Sequence, residues 1–277
     1  MNLIIDTEKC IGCGSCVKDC PANSLEMNNG IPGVARFGEK TCIKCLHCLA
    51  VCPEGALSIH GKTPEDCGTV RTLPQSDEVA SLYQFRRSCR QYKHANVSEE
   101  KLRALQDVLR WTPTGHNDRG LHFSIVSNVE TMDQIRSFVR TSLLEMLENN
   151  TLPAPFKWVK LRRAILQAGG DVVFSNAPHL IAVSAKDDSV CREIDPIIAL
   201  AQFETMAQSL GLGTTWCGFG FRAFSLLEKD SRRILRIPDG YSLSYVMLFG
   251  EPDVHYPRST AQDPPPVARI SEFADIN

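Results

Sequence analysis

Cys10-Ile11-Gly12-Cys13-Gly14-Ser15-Cys16-Val17-Lys18-Asp19-Cys20-Pro21 decides the reading of this chain, because it occurs twice. Its second copy is Cys42-Ile43-Lys44-Cys45-Leu46-His47-Cys48-Leu49-Ala50-Val51-Cys52-Pro53, and each cysteine has its counterpart 32 positions later. Pro21 pairs with Pro53 and Leu25 with Leu57 at the same offset. So regular a duplication is one folding unit used twice. In a C-x-x-C-x-x-C run each thiolate takes one iron corner of a cube, and the cysteine of the following C-P turns away to ligate the other cube. Cys10, Cys13, Cys16 and Cys52 are therefore expected to hold one [4Fe–4S] cluster, and Cys42, Cys45, Cys48 and Cys20 the second. Small residues between the ligands (Gly12, Gly14, Ser15) let backbone N–H groups approach the sulfurs, which helps to set the potential.

Zinc and disulfides are the competing readings. Structural zinc is typically held by two C-x-x-C pairs, whereas here two sets of three are each closed by C-P, so the spacing favours clusters. The stretch resembles bacterial two-cluster ferredoxins over about the first sixty residues, with all eight ligands matching the motif.

The chain has 277 residues, room for about two domains. The expected division is a ferredoxin unit at 1–62, a linker at 63–79 broken by Pro64, Gly68 and Pro74, and a larger domain at 80–277. Hydrophobic and charged fractions, 43% and 22%, are those of an ordinary globular protein. The net charge of −2 offers no basic footprint for nucleic acid. Four further cysteines, Cys67, Cys89, Cys191 and Cys217, show no pairing pattern and read as free thiols. The N-terminus has no basic region followed by an apolar run, and no apolar stretch has membrane-spanning length. Cluster thiolates imply a reducing compartment, so the expected location is the cytoplasm, without membrane or nucleic-acid partners.

The ferredoxin unit is expected to be two short hairpins and two short helices, with the turn-rich 28–33 segment joining its halves. Beyond the linker, helices are expected at 80–87, 98–111 (Ser98 as N-cap, 101–111 amphipathic), 132–147, 158–166 and 196–210. The last has Asp195 as cap, Pro196 in its first turn and Gly211 at its end. Strands are expected at 121–126, 179–185 and 243–249. Strands parted by several helices without regular alternation argue for an α+β fold. Five prolines (252, 257, 264, 265 and 266) rule out a continuous helix in the tail.

Arg86-Arg87-Ser88-Cys89-Arg90 is the second informative stretch. Three guanidinium groups and a hydroxyl within five residues can hold a phosphate by charge-assisted bonds, although a solvated basic patch reads the same way. Trp111-Thr112-Pro113-Thr114-Gly115-His116-Asn117 follows, and then Gly211-Leu212-Gly213-Thr214-Thr215-Trp216-Cys217-Gly218. In this order the three stretches resemble the FMN-dependent nitroreductase family over roughly Tyr83 to Phe249.

The resemblance implies roles for particular residues. Arg86, Arg87, Ser88 and Arg90 would hold the FMN phosphate and ring edge. Pro113, Thr114, Gly115 and Asn117 would reach the flavin from a neighbouring subunit, and Cys217 and Gly218 would lie against its redox-active nitrogen. Arg258 would complete the phosphate site, in place of the family's usual basic pair. The family also implies a homodimer, for which the apolar 196–210 helix and the tail provide surface. His116, Trp111, Trp216 and Glu204 have bland explanations as solvated, core or salt-bridged residues, and no catalytic side chain is assigned.

Clusters carry single electrons, and a flavin can deliver them as a pair. The expected function is an FMN-dependent oxidoreductase, fed through two [4Fe–4S] clusters, that reduces a nitroaromatic, quinone or similar small-molecule acceptor. Its donor is a ferredoxin or NAD(P)H. Other chemistry on the same fold, such as reductive dehalogenation or flavin fragmentation, and a non-enzymatic carrier are the alternatives.

Overall fold

The computed structural model describes residues 1–69 and 72–272. The N-terminal unit runs β1 (Leu3–Ile5), α1 (Ser15–Lys18), β2 (Leu25–Asn28), β3 (Ile31–Val34), α2 (Gly38–Thr41), α3 (His47–Ala50) and β4 (Leu57–Ile59). Its strands are not two hairpins. β2 and β3 form one, around the turn at Asn29-Gly30, but β1 pairs antiparallel with the distant β4, Leu3 opposite Ile59. The 28–33 segment is thus largely strand rather than a free joint. The first and last strands close the duplicated unit over a small core of Leu25, Leu49, Leu57 and Ile59.

The second unit begins with α4 (Ser76–Phe85), inside the segment read as linker. Then follow α5 (Glu99–Leu109), β5 (Leu121–Val126), α6 (Val129–Glu148), α7 (Lys157–Leu161), α8 (Arg163–Gln167), β6 (His179–Lys186), α9 (Asp195–Ser209), β7 (Gly213–Trp216), α10 (Gly218–Leu226), α11 (Glu228–Ile234) and β8 (Tyr241–Gly250). The sheet is antiparallel throughout, in the order β5-β6-β8-β7. This is an α+β architecture.

The sheet is covered on both faces, which is why β6 reads as an unbroken apolar run. Leu180 and Ala182 point to one layer, with Met132, Ile135, Val139 and Leu143 of α6 and Phe224 of α10. Ile181 and Val183 point to the other, with Leu102 and Leu105 of α5 and Leu200 and Phe203 of α9. α9 packs one face into the core of its own chain, burying Ala199, Leu200, Phe203 and Ala207. Its other face leaves Ile197 and Ala201 exposed and Ile198 and Met206 half-buried, and Ile194 is exposed just before it. Helix 158–166 is divided at Arg162 into α7 and α8.

Candidate cofactor sites

Two small cavities lie in the N-terminal unit. One is lined by Cys10, Cys13, Cys16 and Cys52, the other by Cys20, Cys42, Cys45 and Cys48. The crosswise sets expected from the spacing are thus the sets that the fold assembles. Gly12 and Gly14 bend the first loop at φ +65° and +70°; at Gly12 a Cβ would meet the Gly30 carbonyl oxygen at 2.7 Å, so glycine is required by space as well as by φ. At the closing cysteines the backbone N–H of Ser24 donates to Cys20 Sγ and that of Ala56 to Cys52 Sγ, each at 3.2 Å.

The donors fit a cube and not a single ion. Among the described residues no three His, Cys, Asp or Glu side chains converge closely enough for one metal ion, as a zinc site requires. Burial pushes the Cys16 thiol up and that of Cys48 up to about 11. Thiols so placed become thiolates when bound iron supplies the positive charge that the apolar surroundings lack.

The Arg86–Arg90 segment is pinned to the sheet edge. Ser88 forms a parallel bridge to Thr214 of β7, and the Cys89 N–H donates to the Thr214 carbonyl at 2.8 Å. Cys89 is buried against Gly213, where a Cβ would lie 2.6 Å from the Cys89 Cβ. Around this segment opens a cavity lined by Arg86, Arg87, Ser88 and Arg90, with Tyr256, Thr260 and Gln262 from the tail, a cradle of three guanidinium groups. Arg87 donates from Nη1 to the carbonyls of Gln84 and Arg86 at the end of α4, while its Nη2 is buried without a partner. A buried guanidinium N–H lacking an acceptor is costly; a phosphate oxygen in the cradle would satisfy it. These residues fit the FMN phosphate. Arg258 is not among the lining residues, and the tail instead supplies hydroxyls and an amide that the sequence reading had not singled out.

Glu204 has a definite role. Its carboxylate accepts from Thr214 Oγ1 at 2.9 Å, Trp216 Nε1 at 3.0 Å and Arg86 Nη1 at 3.4 Å. The salt-bridged reading holds, but inside the chain, where Glu204 is 8% exposed. It ties the first arginine of the cradle to β7.

The 113–117 loop does not line the cradle of its own chain. The Gly115 N–H donates to both Asp195 carboxylate oxygens, at 3.2 and 3.1 Å. Asp195 is therefore an anchor for this loop rather than the helix cap; Ile194 stands at the cap position. His116, Asn117 and Arg119 all have left-handed backbones (φ 53°, 53° and 52°), a conformation costing about 1–2 kcal/mol per non-glycine residue. Such strain persists only where surroundings over-determine it. Here they include a bond from the Arg119 N–H to Thr114 Oγ1 at 2.9 Å and one from the Asn117 side chain to the N-terminal unit. Pro113 and His116 are exposed, and Thr114 is half-buried.

Cys217 is a buried structural thiol. It donates to the Val173 carbonyl, accepts from the Gly220 N–H as the cap of α10, and is pushed up to about 12 by burial. Gly218 opens α10 beside Tyr245, whose hydroxyl would stand 3.3 Å from an added Cβ.

A model of the nitroreductase family matches residues 83–251. The chain belongs to the nitroreductase family. A 4Fe-4S dicluster domain model matches residues 2–53. Two nitroreductases solved with bound FMN share the family fold. That from Desulfitobacterium hafniense superposes with a TM-score of 0.54 at 23% identity, over 68% of this chain and 96% of its own. That from Bacteroides fragilis gives 0.55 at 18% identity, over 67% and 95%. Ferredoxin-2 of Desulfomicrobium norvegicum is 52% identical over 29 residues, which is 10% of this chain and 49% of that ferredoxin, so about half of that curated relative is matched. The chain thus joins a 4Fe-4S dicluster domain to a nitroreductase-family domain. No helix among its described residues is long and apolar enough to cross a membrane.

Proposed function

We propose that this nitroreductase-family protein takes low-potential electrons through its clusters to FMN and reduces a nitroaromatic, quinone or similar flat organic acceptor. The observation that carries the reading is the orphaned Arg87 Nη2 in a three-arginine cradle, on the same chain as eight thiolates arranged around two cavities. Bound FMN would convert single electrons into the pair that such acceptors take. The chain's own groups bind and orient. Arg86, Arg87, Ser88 and Arg90 hold the phosphate, Glu204 fixes Arg86, and Gly218 lets the backbone come near the ring. The eight cysteines hold the clusters, within a ferredoxin unit at 1–62 joined by a linker, shorter than the 63–79 expected, to a domain that opens with α4 at Ser76.

We read the working form as a homodimer in the cytoplasm. The cradle and the 113–117 loop are apart in one chain, so a second copy is needed to bring Pro113, Thr114 and Gly115 to the flavin. The free edge of β5, the exposed tail residues Val267 and Ile270, and the exposed Trp111, Ile194 and Ile197 are surface for that contact.

Anaerobic turnover of holoprotein with dithionite and a nitroaromatic or quinone tests the reading, with product identified by chromatography. Repeated turnover is expected. A single stoichiometric oxidation that then stops would make the protein a carrier, and halide release from a haloaromatic without turnover of the other acceptors would move it to dehalogenation.

A further inference from the structure

The two cluster loops are copies in sequence but not in surroundings. Asn117 Nδ2 donates to the Ile43 carbonyl at 3.0 Å and to the Lys44 carbonyl at 3.1 Å, both on the arc from Cys42 to Cys45. The equivalent arc of the first repeat is open: Ile11 is 66% exposed and Cys13 is exposed, whereas Ile43 and Cys45 are half-buried. The backbone carries the same asymmetry. Gly12 and Gly14 take the left-handed turn without strain, but their counterparts Lys44 and Leu46 take it with side chains, at φ 55° and 62°. Strained residues of the second loop thus meet the strained 116–119 stretch, and each helps to hold the other.

The far side of the contact leads toward the cradle. Gly115 hangs on Asp195 at the start of α9. Nine residues on, about 14 Å along a helix rising 1.5 Å per residue, Glu204 holds Arg86, Thr214 and Trp216. One rigid helix therefore links the docked cluster loop to the phosphate cradle.

We infer that the second cluster is the exit. An electron leaves the cluster held by Cys20, Cys42, Cys45 and Cys48 across the Asn117 contact, and the cluster held by Cys10, Cys13, Cys16 and Cys52 receives its replacement at the open Ile11–Cys13 face from a low-potential one-electron carrier protein. This rests on the reading above that electrons run from clusters to FMN. Each transfer oxidises the second cluster by one electron and reduces FMN by one; two transfers make the pair that the acceptor takes. Asn117 is a positioning residue, spent on the cluster loop rather than on the flavin.

The test uses anaerobic holoprotein carrying Asn117→Ala or Asn117→Asp; the carboxylate has no N–H for the two carbonyls. Both variants are expected to keep full iron and FMN and to show faster hydrogen exchange across residues 42–47. Stopped-flow bleaching of the flavin after dithionite reduction of the clusters should slow several-fold. Bleaching at the wild-type rate with full cofactors would overturn the inference, and so would loss of FMN from either variant, which would put Asn117 on the flavin. For the entry face, Ile11→Glu should slow reduction by a two-cluster ferredoxin several-fold, and an unchanged rate overturns that assignment. Wild-type clusters that reduce while FMN stays oxidised would instead sink the underlying reading, and this inference with it.

Discussion

Glutamine at position 204 is the most informative single change, because it keeps the volume and removes the charge. The carboxylate serves three donors: Oε1 accepts from Arg86 and Thr214, and Oε2 from Trp216. A glutamine oxygen placed toward Arg86 and Thr214 turns an NH2 toward the Trp216 N–H, donor against donor. Leaving such a donor unpaired costs about 1–3 kcal/mol, and weakening charge-assisted bonds to neutral ones costs about 1 kcal/mol more. Relief from burying a carboxylate offsets part of this. The net expectation for Glu204→Gln is a loss of about 2 kcal/mol, read as a shift of the urea midpoint followed by near-UV circular dichroism of the holoprotein. Adding Trp216→Phe removes the stranded donor, so its cost in the Glu204→Gln background should be smaller than in wild type by at least about 0.5 kcal/mol. A midpoint shift below about 0.5 kcal/mol, or equal costs of Trp216→Phe in both backgrounds, would refute the three-bond geometry.

Three further outcomes are expected. Cys20→Ser, although it lies in the first repeat, should strip iron from the second site and leave the first loaded, as iron counting with cluster spectroscopy would show; loss from the first site alone would undo the crosswise pairing. Arg87→Met should weaken FMN binding by about 10- to 100-fold, the worth of a charged phosphate bond, measured by fluorescence titration, and Arg87→Lys should recover part of it. His179 is wholly buried, accepts from the Val97 N–H at 3.0 Å and faces the Val126 carbonyl through Nδ1 at 3.2 Å, which fixes it as a neutral ring protonated at Nδ1. Burial holds its pKa below the ordinary histidine value. The unfolded chain therefore takes the proton first, and stability should be full above about pH 6.5 and fall below it by up to about 1.4 kcal/mol per pH unit. Urea midpoints at pH 7.5 and 5.5 measure this, and His179→Gln should flatten the difference; a variant with the same acid loss as wild type would acquit the ring.

What could be read from the residues and what could not divide along physical lines. β5, β6, β8 and α9 carry their period or run in adjacent residues, and the structure places them within a few residues of expectation. The crosswise cysteine sets were legible because metal chemistry ties spacing to geometry. The pairing of β1 with β4 was hidden, since a long-range ladder leaves no local mark. β7 was hidden inside a stretch read for its glycines. α10 opens Gly-Phe-Gly-Phe, poor helix formers capped by a sulfur, so no start signal stood out. The bonds from Asn117 to the Ile43 and Lys44 carbonyls were hidden, because every residue has a carbonyl and no pattern marks which ones are met. Asp195 looked like a helix cap because an acidic residue before Pro196 usually is one; only the fold shows that its carboxylate faces Gly115.

Arg87 does two jobs with one flat group. Its Nη1 closes the final turn of α4, the helix that follows directly from the tether to the ferredoxin unit, while Nη2 waits for an anion. A guanidinium cannot tilt at one end and stay still at the other, so a phosphate held at Nη2 would also fix the carbonyl end of α4.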